Sequence, residues 1–81
     1  MELTELTRGR LKVKDGDHFA TIYGEALLRG VGALDFLIYK NTLEKWDAPH
    51  EAELMDDAQK ATIIRFLREE FAARKMFVEF E

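Results

Sequence analysis

The sequence predicts a small α+β domain in which one amphipathic helix packs on one face of an antiparallel sheet of about five strands. Three observations predict this fold class. Short segments with apolar residues at every second position, typical of half-buried strands, recur along the chain. One segment towards the C-terminus instead spaces its apolar residues as an amphipathic helix does. The length of 81 residues suits one domain, so we expect residues 1–81 to form a single unit with the order β-β-β-β-α-β.

The clearest pair of strands is a hairpin. Residues 10–14 alternate basic and apolar side chains, which is typical of a half-buried strand. Asp15-Gly16 then favours a tight turn, because glycine tolerates a positive φ, and residues 17–23 form the return strand. A two-residue loop pairs Val13 with His18, whereas a three-residue loop with a bulge exchanges the faces of the return strand. The sequence leaves both registers open.

Three further segments are predicted strands. Residues 2–7 alternate weakly and favour an edge strand. Residues 35–40, DFLIYK, carry apolar side chains on both faces, which is typical of a central strand. Residues 76–80, MFVEF, alternate cleanly and close the predicted sheet. The order of the strands within the sheet stays open.

The predicted helix covers residues 57–74. Asp56 is a favourable N-cap, and Gln59 completes a capping-box pair with it. The apolar residues of this segment fall in one stripe: Ile63, Ile64, Phe66, Leu67 and Phe71. Upstream, Pro49 disfavours helix in the residue before it, so residues 44–55 are predicted to form an irregular surface connection.

The composition excludes several kinds of active site. The chain has no cysteine and no serine, so a thiolate metal site, a disulfide and a serine nucleophile are all impossible. His18 and His50 lack a metal-ligand spacing, and Glu25 is expected to be a surface or turn residue. We therefore predict no catalytic, cofactor-binding or metal-binding residue, and no enzyme. No signal peptide or membrane-spanning run is recognisable, which favours a cytoplasmic protein.

The negative charge is concentrated in one stretch. The chain has a formal charge of −4, whereas residues 44–57 alone carry six acids and one base. Trp46, the single tryptophan, lies within this stretch and either anchors a basic partner or closes the core where sheet and helix meet. The sequence leaves both placements open. The residues hypothesised to bind a protein partner are Glu44, Trp46, Asp47, Glu51 and Glu53.

Two other functions have a basis in the sequence. Basic residues repeat at every second position over Arg8–Lys14, which suits a regulatory or nucleic-acid-binding module, although the net charge of −4 disfavours nucleic acid. The outer face of an ordinary hairpin has the same pattern. A structural homo-oligomer, in which residues 76–80 or another edge pairs with a second copy, is the other alternative. The sequence does not decide between a monomer and a homodimer.

The order RG…LKV…ATIYGEAL…DFLIYKNTLEKWDAP…FVEF resembles the immunity protein 74 family of bacterial polymorphic toxin systems. The resemblance extends over residues 8–80. The positions that match the family's motifs are Gly24, Glu25, Trp46 and Pro49. The resemblance implies a non-enzymatic protein of the bacterial cytoplasm that works by protein–protein interaction, binding a cognate toxin and occluding its active site. The resemblance does not imply that these four residues touch the toxin, since they can equally serve the fold.

Overall fold

The computed structural model describes residues 1–27 and 35–81. These residues form five strands, a single α-helix and a short 3-10 turn. In chain order the elements are β1 (Glu2–Leu6), β2 (Arg10–Asp15), β3 (His18–Ala26), β4 (Phe36–Ile38), the 3-10 turn Lys40–Thr42, α1 (Asp57–Ala73) and β5 (Val78–Phe80). The α+β class and the predicted order of strands and helix are confirmed.

The five strands form one sheet in chain order, β1-β2-β3-β4-β5. The first three pairs are antiparallel, as predicted, but β5 pairs with β4 in parallel. The prediction of an antiparallel sheet is therefore wrong for the last pair. The physical reason is the connection: a long crossover that includes a helix returns the chain to its starting end, which allows the next strand to run parallel.

The hairpin of β2 and β3 has a two-residue loop made of Gly16 and Asp17. Asp15 pairs with His18 and Val13 pairs with Ala20, and Gly16 has a φ of +65°. The register is thus two residues away from the predicted pairing of Val13 with His18. A shift of two residues keeps every side chain on the same face of the sheet. The residues that face the core are therefore those expected for a two-residue loop.

The core lies between α1 and one face of the sheet. The helix begins with a full capping box, in which the Asp56 side chain accepts from the Gln59 backbone N–H at 2.8 Å and the Gln59 side chain accepts from the Asp56 N–H at 3.0 Å. The Phe71 ring stacks on the Phe36 ring with 6.0 Å between their centroids. No helix within residues 1–27 and 35–81 has the length and apolarity needed to cross a membrane. The fully buried core residues of the sheet and helix are Leu11, Val13, Ala20, Ile22, Phe36, Ile38, Ile63, Leu67 and Phe71.

The chain after β4 runs back along the free edge of β3. The Tyr39 N–H donates to the Tyr23 carbonyl at 3.0 Å, and the Asp47 N–H donates to the Phe19 carbonyl at 2.7 Å. Between them, the Thr42 hydroxyl accepts from the Tyr23 N–H at 2.9 Å. These bonds cover an edge that would otherwise be open to pairing with another chain. They also bring the residues after Asp47 to the hairpin turn.

Candidate functional site

Half of the 16 acidic residues of the chain lie at one end of the molecule, where three segments meet. These are the hairpin turn (residues 15–17), the connection to the helix (residues 44–55) and the start of α1 (residues 56–57). A shallow depression between them is lined by Asp15, His18, Trp46, Glu53, Leu54 and Gln59. We call residues 15–17 and 44–57 the acidic end. It contains eight acids: Asp15, Asp17, Glu44, Asp47, Glu51, Glu53, Asp56 and Asp57.

Trp46 lies inside the core, beneath the acidic end. Its side chain is only 4% exposed and belongs to the buried cluster that includes Leu43 and Met55. The ring edge of His18 packs against the indole, with 5.2 Å between centroids. Of the two placements that the sequence leaves open, the structure shows the core placement. Trp46 therefore supports the acidic end from below and adds little to its exposed surface.

Asp47 connects the acidic end to the sheet face that α1 does not cover. Its side chain accepts a hydrogen bond from the Thr21 hydroxyl at 2.8 Å and lies 3.8 Å from the Lys12 ammonium. The Asp47 side chain is half-buried in this position. Glu44 and Glu51, in contrast, are exposed. The sequence-predicted partner-binding residues thus divide into exposed carboxylates and two residues, Trp46 and Asp47, that hold the segment in place.

Two histidines and two carboxylates form a cluster at the acidic end. The imidazole rings of His18 and His50 stack with 3.7 Å between centroids and 20° between planes. One oxygen of Glu53, Oε2, contacts Nε2 of His18 at 2.9 Å and Nδ1 of His50 at 2.5 Å. The other ring nitrogen of His18, Nδ1, lies 2.8 Å from Oδ1 of Asp17. The cluster joins the segment after Pro49 to the hairpin turn.

Contacts within the cluster shift the pKa values of His18, Asp17 and Glu53. The hydrogen bond to Glu53 raises the pKa of His18, and the contact with His18 lowers the pKa of Asp17. Hydrogen bonds from His18 and then His50 lower the pKa of Glu53. The carboxylates of Asp17 and Glu53 thus favour a positive charge on the His18 ring between them. Sequence reasoning missed this cluster because the two histidines are far apart in the chain, and only the meeting of the hairpin turn with residues 49–54 brings them together.

Leu54 is the exposed apolar residue of the acidic end. Its side chain is 82% exposed, whereas the neighbouring Met55 is 4% exposed. Leu54 lines the depression together with the carboxylates of Asp15 and Glu53, and an exposed apolar side chain beside charged groups suits an interface anchor with a polar rim. The sequence did not indicate Leu54, because a Leu-Met pair in an irregular segment does not reveal which residue turns inwards. The hairpin acids Asp15 and Asp17 were also missed, since they join the surface only through the fold.

The residues that match the family motifs do not gather at one place. Gly24 and Glu25 lie towards the end of β3, whereas Trp46 packs against His18 at its start. Gly24 allows β4 to come close, and the Tyr39 hydroxyl donates to Glu25 at 3.1 Å, which raises the pKa of Tyr39. Pro49 follows a cis peptide bond. These positions serve the backbone and the packing at separate points of the fold.

The basic residues of β2 lie on the sheet face that α1 does not cover. Their charges are partly neutralised within the chain: Arg10 is 2.9 Å from Glu5, and Lys12 contacts Asp47. Surface ion pairs of this kind contribute little to stability, but they lower the positive potential that a phosphate backbone would meet. The structure therefore adds no support for a nucleic-acid-binding surface on β2.

The family model of immunity protein 74 matches residues 3–81, which is nearly the whole chain. Comparisons with curated proteins and with solved structures found no match.

Proposed function

The chain belongs to the immunity protein 74 family, and from this premise we propose that it binds a cognate protein toxin and blocks the toxin's active site. Binding alone achieves this effect, so the protein needs no chemistry of its own. We assign the toxin-binding surface to the acidic end. The observation that carries this assignment is Leu54, a side chain that is 82% exposed and lines the same depression as Asp15 and Glu53.

The charge of the acidic end suits a basic partner. Residues 44–57 carry a formal charge of −5, whereas the rest of the chain sums to +1. Such a one-sided distribution steers an oppositely charged protein towards the right surface and raises the association rate, an effect that salt screens. A toxin that acts on nucleic acid has a basic active site, because it must bind phosphates. We therefore propose a nucleic-acid-degrading toxin of bacterial polymorphic toxin systems as the partner class, met in the cytoplasm.

The acidic end is held in one conformation by contacts on three sides. Trp46 and Met55 anchor it in the core, and the Asp47 N–H bonds to the edge of β3. Glu53 joins it to the hairpin turn through His18. A surface that is already ordered loses less conformational entropy when a partner binds, so more of the contact energy appears as affinity.

Co-expression tests the proposed function. The toxin to be tested is one encoded beside the gene of this chain, and its toxic domain is expressed in a host that lacks this protein. We expect co-expression of the chain to restore growth and the purified proteins to form a 1:1 complex by calorimetry. Continued toxicity together with no measurable binding would overturn the proposal.

Substitution of Leu54 with alanine tests its role as the anchor. We expect about 10-fold weaker toxin binding, because truncating an interface hot spot costs more than about 1 kcal/mol. The melting temperature should stay unchanged, since this side chain is 82% exposed and contributes little to the core. Phe77→Ala is the matched control, an exposed apolar residue beside β5. Equal affinities of the two variants and the wild type would place Leu54 outside the interface.

A further inference from the structure

We propose that Asp17, His18 and His50 form a binding site for a divalent transition-metal ion, with Zn²⁺ as the representative ion. One ligand atom from each of the three residues lies within 4.8 Å of the other two. They come from the hairpin turn and from the segment after Pro49, so the site exists only in the folded chain. The proposal does not depend on the toxin, because it rests on this chain's own side chains.

The contacts of Glu53 fix which nitrogens are free for an ion. Oε2 of Glu53 is a hydrogen-bond acceptor, so both contacting nitrogens, Nε2 of His18 and Nδ1 of His50, donate to it. A neutral imidazole carries one N–H, which leaves Nδ1 of His18 and Nε2 of His50 as lone-pair donors. A carboxylate that orients the histidine ligands of a metal from behind is the usual arrangement of protein zinc sites.

Asp17 supplies the carboxylate ligand of the site. Its Oδ1 lies 2.8 Å from Nδ1 of His18. A metal ion that binds both atoms takes the place of a proton between them. The neighbouring His50 ring provides a third ligand, which a proton does not need and a metal ion uses.

The ligand set indicates the class of ion. Imidazole nitrogens with a carboxylate oxygen suit Zn²⁺, Ni²⁺ and Cu²⁺, whereas Mg²⁺ and Ca²⁺ prefer oxygen ligands. Both histidine side chains are partly exposed, at 24% and 23%, so an ion has access from solvent. The rings stand nearly parallel, so the His50 ring must rotate about its Cβ–Cγ bond for both rings to bind the same ion, while His18 keeps its contact with Glu53. Water fills the remaining position of a tetrahedral site.

Nuclear magnetic resonance of the imidazole nitrogens tests the proposal directly. The chain has only two histidines, so their ring signals are assigned from a single His50→Gln spectrum. On addition of one equivalent of Zn²⁺ to the metal-free wild-type chain, we expect the signals of Nδ1 of His18 and Nε2 of His50 to shift together. Mg²⁺ at the same concentration should shift neither. The titration extends to 1 mM Zn²⁺, because a dissociation constant of about 1 mM is the weakest useful affinity. Unchanged ring signals at this concentration would overturn the proposal and leave a proton as the occupant.

Calorimetry of variants provides the second measurement. We expect Glu53→Gln to weaken Zn²⁺ binding by about 10- to 100-fold, the usual effect of removing a carboxylate that orients a histidine ligand. Glu51→Gln is the control, since it removes an exposed carboxylate of the same segment outside the cluster. Wild-type affinity in Glu53→Gln, or equal losses in both variants, would contradict the site and indicate unspecific attraction of cations to the acidic end.

Discussion

Replacing Gly24 with alanine is expected to destabilise the protein by about 3 kcal/mol, at the upper end of the usual effect of overpacking a core. A Cβ atom at this position would lie 2.4 Å from the carbonyl oxygen of Leu37 and 2.5 Å from an atom of the Phe36 ring. The oxygen belongs to the backbone of β4, which cannot move without breaking its pairing with β3. The Phe36 ring cannot move freely either, because it is buried against Phe71.

Urea unfolding followed by circular dichroism measures this effect, with Gly9→Ala as the matched control. Nothing lies within 4 Å of a Cβ built at Gly9, so its substitution should change the free energy of unfolding by less than about 0.5 kcal/mol. For a domain of this size, the loss in Gly24→Ala lowers the melting temperature by about 12 °C or more. Similar stabilities for the two variants would show that β3 and β4 do not approach as described.

Replacing Trp46 with alanine is expected to cost about 3–5 kcal/mol of stability, the usual effect of removing a large buried aromatic side chain. The indole is 4% exposed and packs in the cluster with Leu43 and Met55. Because the net stability of so small a domain lies near the lower end of the usual range, at about 5 kcal/mol, the variant should be barely folded at room temperature. Trp46→Phe, which keeps an aromatic ring in the cavity, should lose less.

Circular dichroism is the suitable probe, since the substitution removes the only tryptophan fluorophore. Lys45→Ala serves as the control, because Lys45 is the exposed neighbour of Trp46. A loss below about 1 kcal/mol in Trp46→Ala would be the effect of a surface residue and would contradict its place in the core.

Those parts of the fold that depend on local sequence were predictable. The helix begins at Asp57 because Asp56 and Gln59 form a capping box, an interaction contained within four consecutive positions. The faces of β2 and β3 follow from alternation, a pattern that a shift of two residues does not change. Both signals come from neighbours in the chain, so no knowledge of the tertiary structure was needed.

The direction of β5 and the way in which the segments of the acidic end pack together were not predictable. Whether β5 runs parallel or antiparallel to β4 depends on how α1 crosses the sheet, and no residue of β5 encodes that path. The stacking of His18 on His50 depends on contact between two distant segments. The burial of Trp46 and the exposure of Leu54 likewise depend on how an irregular segment packs, where no periodicity marks the inner face.

Among the motif positions, Gly24 and Trp46 serve the fold, whereas the side chains to which we assign toxin contact are the exposed Leu54 and carboxylates of the acidic end. Gly24 permits the approach of β4, and Trp46 fills the core beneath the acidic end. A shared scaffold with a variable charged surface would allow related chains to bind different partners, because specificity comes from the residues at the contact. The proposed surface of this chain accordingly depends on Leu54 and its acidic neighbours.

The affinity of the cognate toxin for a charge-reversed acidic end tests the account most directly. In Glu44→Lys/Glu51→Lys, two exposed carboxylates of this surface change sign, while Glu69→Lys/Glu79→Lys makes the same change on α1 and β5. We predict at least about 10-fold weaker binding for the first variant, mainly through slower association, and wild-type affinity for the second. Equal affinities of the two variants, measured by surface plasmon resonance at the same salt concentration, would contradict the assignment of the toxin-binding surface to the acidic end.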